Sequence, residues 1–315
     1  MSTIVLETKE LTRKFGELTA VNKLSLQVYE GEVFGFLGPN GAGKTTSINM
    51  ICGLLAPTSG EVILKGVPMV NGSRDLRRVV GMCPQSIVLW ERLTCLEQLE
   101  FMGQMYNLTA AQARESGVRL LKELGLEEKS MSLARTLSGG MQRRLNLAMA
   151  LVHDPELVVL DEPEAGLDPQ SRVKVREYIQ SLARKKTVII TTHNMDEAER
   201  LADRIAIIDH GELLVQDTPE KLKQSLGEGD QVEIHLDNGT HDPAEAQTAL
   251  ARLSTHVTYN TETQHLKIRA LNAVGNLAEI LDALRNAGFK PGEVNIHANT
   301  LEDVFIQLTG RRLRE

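Results

Sequence analysis

Residues Ile4 to Leu11 and Leu24 to Val28 alternate or run apolar in the manner of strands, and Tyr29-Glu30-Gly31-Glu32 turns the chain into a further apolar strand, Val33-Phe34-Gly35-Phe36-Leu37. Apolar residues then recur at Ile48, Ile51 and Leu55, which is helical spacing. From about Leu93 to His153 the pattern stays helical. Thr94 with Glu97 three residues on makes a capping box, and Leu96, Leu99, Met102, Met105 and Tyr106 supply one apolar face. The runs Leu157-Val158-Val159-Leu160, Val188-Ile189-Ile190-Thr191 and Ile205-Ala206-Ile207-Ile208 have the continuity of parallel strands buried on both sides, and a helical stretch from Met195 to Leu201 separates the last two.

Past Leu226 the character changes. Gly227-Glu228-Gly229-Asp230 reads as a linker. After it come a strand (Gln231–Leu236), a helix (Ala244–Leu253), two strands (His256–Tyr259 and Leu266–Ala270), a helix (Ala273–Ala287) and a strand (Val294–Ala298), the βαββαβ order of a ferredoxin-like domain. A last amphipathic helix, Leu301 to Leu308, starts at Thr300 as N-cap and stops at Gly310. Arg311, Arg312 and Arg314 read as a solvated end.

Candidate chemistry enters at Gly38-Pro39-Asn40-Gly41-Ala42-Gly43-Lys44-Thr45-Thr46, which lies between a strand and a helix as a phosphate-binding loop requires. Glycines let backbone N–H groups turn inward around phosphates, and the helix presents its positive end to the same anion. Lys44 would reach the β- and γ-phosphates of ATP, and the Thr45 hydroxyl would ligate Mg²⁺. Such a loop alone says only that a nucleotide binds. Two later motifs narrow the reading: Leu137-Ser138-Gly139-Gly140-Met141-Gln142 ahead of a helical run (Leu145, Ala148, Met149, Val152), and Asp161-Glu162-Pro163 at the end of an apolar strand.

With these motifs in this order, residues 4 to 225 resemble the ATP-binding subunits of ABC transporters. The signature LSGGQ reads LSGGM here, with Ser138, Gly139 and Gly140 kept. The resemblance implies an α/β fold: residues 1–226 would be a P-loop ABC ATPase domain, with a RecA-like core, an antiparallel β subdomain and a helical signature subdomain over about 86–153. Residues 227–315 would be a small α+β accessory domain. Asp161 would hold Mg²⁺ together with Thr45 and Gln85. Glu162 would face the attacking water, Gln85 would report γ-phosphate occupancy, and His193 would contact the γ-phosphate. Phe15 stands where an aromatic ring stacks on adenine, a place usually filled by Tyr; core packing is its other reading.

Ser138, Gly139 and Gly140 would complete the site of a second ATPase subunit, identical or homologous. Asp168, in Ala165-Gly166-Leu167-Asp168-Pro169, would align the two sites across a head-to-tail interface. Glu164 departs from the family's Ser or Thr; it is expected to point into solvent, the other reading being a charge that slows hydrolysis until a partner docks. The cluster Ile87-Val88-Leu89-Trp90 would either anchor a permease's cytoplasmic helix or plug the subdomain's own core. Thr300 to Gly310 resembles the C-terminal segment of exporter subunits of the daunorubicin-resistance type, which favours export over import.

Composition bounds the rest. With 315 residues of which 42% are hydrophobic, one large or two ordinary domains can be built. No run approaches the roughly eighteen apolar residues of a membrane span, so a separate transmembrane permease must carry the cargo. The start lacks an export-signal pattern, and the chain is expected on the cytoplasmic face of the membrane, bound through that permease. Three cysteines without metal-ligand spacing are expected free and reduced, and a net charge of −7 argues against nucleic acid. A soluble ABC ATPase acting on ribosomes or protein assemblies is the alternative from another class. Ribosomal members usually carry two cassettes and chromosome-type members long heptad insertions, and this chain shows neither.

Overall fold

The computed structural model describes residues 3–69, 78–183, 185–226, 229–237, 243–253, 256–260, 264–270 and 272–310. Gly227 and Glu228 of the expected linker, and the arginines after Gly310, lie outside the described residues. The chain divides into two compact units, the first running to Pro219 and the second from Glu220 onward.

In the first unit, β1 (Ile4–Phe15) and β2 (Leu18–Tyr29) pair antiparallel from Ile4 opposite Tyr29 to Phe15 opposite Leu18. With β4 (Ser59–Leu64) and β5 (Val67–Pro68) they form a sheet of order β2-β1-β4-β5. A second sheet of order β10-β9-β3-β8-β7-β6 contains β3 (Val33–Leu37), β6 (Val80–Cys83), β7 (Leu157–Asp161), β8 (Thr187–Thr192), β9 (Arg204–Asp209) and β10 (Glu212–Asp217). Every residue of β3, β7 and β8 is buried, as continuous apolar runs between helices require. Phe34, Phe36, Ile48, Leu157 and Ile189 join Leu6, Leu24 and Val62 in one core shared by both sheets.

The neighbours β3, β8, β7 and β6 run parallel, so the segments following them leave from one edge of the sheet. That edge is where open α/β sheets bind ligands. Helix α1 (Lys44–Ile51) follows β3 directly. The helical region holds α2 (Cys95–Met105), α3 (Ala110–Glu123) and α4 (Gly139–Leu151). The capping box of Thr94 with Glu97 is formed, and Thr109 with Gln112 makes a second on α3. Helices α5 (Pro169–Ala183) and α6 (Met195–Leu201) complete the layers, and α7 (Pro219–Gln224) comes after β10. Cys52, Cys83 and Cys95 are buried and unbridged.

In the second unit, β11 (Asp230–Leu236), α8 (Pro243–Leu250), β12 (His256–Asn260), β13 (His265–Ala270), α9 (Ala273–Asn286) and β14 (Pro291–His297) follow in the expected βαββαβ order. Their antiparallel sheet has the order β12-β13-β11-β14. Val232, Ile234 and Leu236 alternate inward from β11 onto Leu250, Ile280 and Leu284. Helix α10 (Leu301–Thr309) begins at a capping box of Thr300 with Asp303 and ends at Gly310 in the left-handed region, φ 73°.

Candidate functional site

The loop after β3 turns on glycine. At Gly43, φ is 98° and an added Cβ would lie 2.5 Å from the Ala20 carbonyl oxygen, so no other residue fits without moving the backbone. Lys44 therefore enters the first turn of α1 with its side chain folded back under the loop. It is only 5% exposed, and its Nζ donates to the carbonyls of Gly38 at 2.8 Å and Pro39 at 3.0 Å. Burial pushes the ammonium below the ordinary lysine range, opposed by the nearby carboxylates of Glu162 and Asp161. Asn40 and Gly41 are exposed at the loop's outer rim, with Pro39 and Thr46 half-buried beside it.

Asp161 closes β7. Its Oδ2 accepts from the Thr45 hydroxyl at 3.2 Å, and its Oδ1 accepts from the Thr191 hydroxyl on β8. Glu162 follows with φ 45°, a left-handed backbone uncommon for a side chain of its size. It is held there by its own N–H, which donates to the Thr191 carbonyl at 3.1 Å and hydroxyl at 3.0 Å. The buried carboxylate has two partners of its own. Gln85 Nε2 donates to Oε2 at 3.0 Å, and His193 Nδ1 lies 3.0 Å from Oε1. The structure thus brings Thr45, Asp161, Glu162, Gln85 and His193 into linked contacts beside Lys44.

Ser138 and Gly139 stand outside that network and are exposed. Ser138 caps α4, accepting from Met141 N–H at 3.4 Å. Gly140 packs against the first turn of α5: a Cβ there would fall 2.1 Å from Ser171 Oγ and 3.6 Å from Asp168 Oδ2. Hydrogen bonds from Ser171 hold the exposed Asp168 carboxyl below its usual range. Phe15 is 47% exposed, which excludes core packing, and the Arg13 guanidinium lies over its ring at 4.6 Å from the centroid.

One expectation fails. Glu164 does not point into solvent: it is 6% exposed and makes a two-pronged pair with Arg176 on α5, Nε to Oε1 at 2.9 Å and Nη2 to Oε2 at 2.7 Å. Its charge is met by a guanidinium. Behind it, Glu197 on α6 is buried with Oε2 accepting from the Thr192 hydroxyl at 2.6 Å. Burial pushes its carboxyl up to about 7 against that hydrogen bond, aided by the charges of Glu164 and Glu162. On the helical side, the Trp90 ring meets Phe101 edge to face at 5.0 Å, and both line a groove with Met102, Met105 and Tyr106. Trp90, Ile87 and Val88 remain exposed.

Two site residues escaped the sequence reading. Thr191 reads in the sequence only as a strand residue, although its hydroxyl donates to the Asp161 carboxylate and accepts from the Glu162 N–H. Arg143 carries no motif in the sequence beyond a helical pattern, yet it is 2% exposed. The available signal was adjacency: Arg143 and Arg144 sit in a helix whose other residues leave almost no polar face to carry them.

The chain is similar to known proteins along its whole length. The ABC transporter family profile matches residues 21–165. Nod factor export ATP-binding protein I of Ralstonia nicotianae is 39% identical over 317 aligned residues, spanning 100% of this chain and 96% of that protein. Daunorubicin resistance ATP-binding protein DrrA3 of Streptomyces coeruleorubidus is 36% identical, spanning 96% of each. Among solved structures, a dimeric post-hydrolysis ATP-binding cassette bound to ADP and Pi superposes with a TM-score of 0.61 at 28% identity, covering 68% of this chain and 98% of that one.

Proposed function

The chain belongs to the ATP-binding subunits of ABC transporters, and from that membership we propose that Lys44, Asp161, Glu162, Gln85 and His193 form the hydrolytic centre of an exporter's ATPase. The observation that carries the reading is the convergence of Gln85 and His193, from two different loops, on the two oxygens of Glu162. Such a carboxylate is fixed in direction, as a group that orients and deprotonates water must be.

The nucleotide's phosphates take the loop Gly38 to Thr46, with Lys44 exchanging its two carbonyl partners for phosphate oxygens. Adenine stacks on the face of Phe15 that Arg13 leaves open. The donor set also fits Mg²⁺: the Thr45 hydroxyl and Asp161 carboxylate are hard oxygen ligands in contact, and they would hold the ion together with the Gln85 amide. Bound there, Mg²⁺ would neutralise charge on the transferring phosphate. Glu162 accepts the proton of the attacking water, and His193 braces it from the solvent side.

Ser138 and Gly139, exposed at the start of α4, present that helix's positive end to the nucleotide of a second ATPase subunit, and Asp168 lies at the same interface. Closure of two domains around two nucleotides then drives a separate transmembrane permease, placing the chain at the cytoplasmic face of the membrane. The groove beside Trp90 receives the permease's cytoplasmic helix, and residues 227–315 act as an accessory docking domain to the ATP-binding domain 1–226. In this reading Glu162→Gln retains ATP and accumulates as a dimer. Light scattering with ATP and Mg²⁺ checks it; a variant that stays monomeric where the native chain hydrolyses would sink the sandwich mechanism.

A further inference from the structure

Arg143 lies on the second turn of α4, and its guanidinium spends its donors entirely on main-chain carbonyls of two separate segments. Nη1 donates to Pro84 at 2.6 Å and Gln85 at 3.0 Å. Nη2 donates to Asp161 at 2.8 Å and Glu162 at 2.9 Å, and Nε to Pro163 at 3.0 Å. Three residues on, along the same helix face, Asn146 Oδ1 accepts from Val88 N–H at 3.4 Å and Nδ2 donates to Cys83 Sγ at 3.3 Å. One face of α4 thus grips the Gln85 loop on both sides of the glutamine, and Arg143 also grips the backbone on both sides of Glu162.

Only arginine can do this. Its planar fork offers five N–H groups in fixed directions, whereas a lysine ammonium has three donors at a single point, too few for five carbonyls in two segments. The left-handed conformation of Glu162 needs restraint on both sides to persist. Thr191 restrains its N–H, and Arg143 its carbonyl.

We propose that Arg143 is a positioning residue for hydrolysis. It fastens the helix that begins at Ser138-Gly139-Gly140 to the Gln85 loop and to Glu162, so that engagement of the helix start by a second subunit's nucleotide is passed to the water-activating carboxylate and along residues 85–90 toward Trp90. The proposal rests on the roles given above to Glu162 and Gln85.

Trp90, the chain's only tryptophan, makes the link measurable in the full-length protein. Arg143→Gln, Arg143→Lys and Glu162→Gln are compared with the native chain for ATPase kcat, for affinity toward a fluorescent ATP analogue, and for the change in Trp90 emission on adding ATP and Mg²⁺. Both Arg143 variants should lose at least about tenfold in kcat, bind the analogue within about threefold of the native affinity, and lose most of the emission change. Should Arg143→Gln fail to fold, Arg143→Lys carries the same test, since it keeps the charge and removes only the fork. Native kcat and native Trp90 response in a folded Arg143→Lys would overturn the proposal while leaving Glu162 in its role. Hydrolysis by Glu162→Gln at the native rate would instead overturn the site reading and the proposal with it.

Discussion

Glu197 keeps its proton where an ordinary carboxylate has lost it, because burial raises its titration from 4.5 to about 7 and one of its oxygens, Oε1, finds no hydrogen-bond partner among the described residues. Below pH 4.5 both the folded and unfolded chains hold this proton and folding costs nothing extra. Between 4.5 and 7 the unfolded chain releases it first, so stability falls as pH rises, reaching a penalty on the order of 3 kcal/mol above 7. Glu197→Gln removes the titration. Urea unfolding of this variant and the native chain should therefore show a stability gap that shifts in the variant's favour by roughly that amount between pH 5 and pH 8; a gap independent of pH would refute it. The neighbouring Glu164 shows what a linear reading misses. Its departure from the family pattern was visible, but its fate is decided by Arg176, twelve residues away on α5 and pointing back. The motif residues were legible because their spacing is itself the message. Arg143 and Thr191 were not, since a buried arginine or threonine looks like any other until the segments it joins are brought together.

Among the elements, α4 joins the greatest number of functional parts. Its start was readable from Ser138 and the paired glycines, and its length from the apolar spacing through Val152. What the pattern could not show is that Gly140, in the first turn behind the Ser138 cap, is a packing contact. The 2.7 Å between a Cβ there and Ser171 Cβ leaves no rotamer of the serine that avoids a clash. Gly140→Ala should push the helix start away from α5 and Asp168. We expect the ATP-driven dimer to weaken and hydrolysis to fall about a hundredfold, with single-site nucleotide affinity little changed. The double variant Gly140→Ala with Ser171→Gly should recover a substantial part of both, as measured by ATPase rate and light scattering. Absence of recovery would place the defect elsewhere. Some elements were overlooked for plain reasons. β4 is exposed over its first half, and β10 is nowhere fully buried, so neither displays the continuous apolar run that revealed β3, β7 and β8.

For the whole molecule, the two units each enclose a core of their own, one built from residues no later than Leu213 and the other from Val232 onward. The sequence places a boundary after Leu226, where a second set of strand and helix periods begins, whereas the compact units divide earlier, between Pro219 and Glu220. The βαββαβ order also carried its sheet arrangement, while the purpose of that unit lies in surfaces that periodicity does not describe. The first unit has one more property of practical weight. Its three cysteines lie inside it, and burial pushes their thiols upward, Cys52 to about 12, with Cys83 and Cys95 also raised. Thiolate is the reactive form, so a maleimide or disulfide reagent should meet almost no attack from the folded chain at neutral pH, and all three sulfurs should react once it is unfolded. The native protein is then already a silent background for site-directed labelling: a single cysteine introduced on an exposed position would carry the only dye or spin probe, and opening and closing of the paired subunits could be followed by distance without first rebuilding the interior.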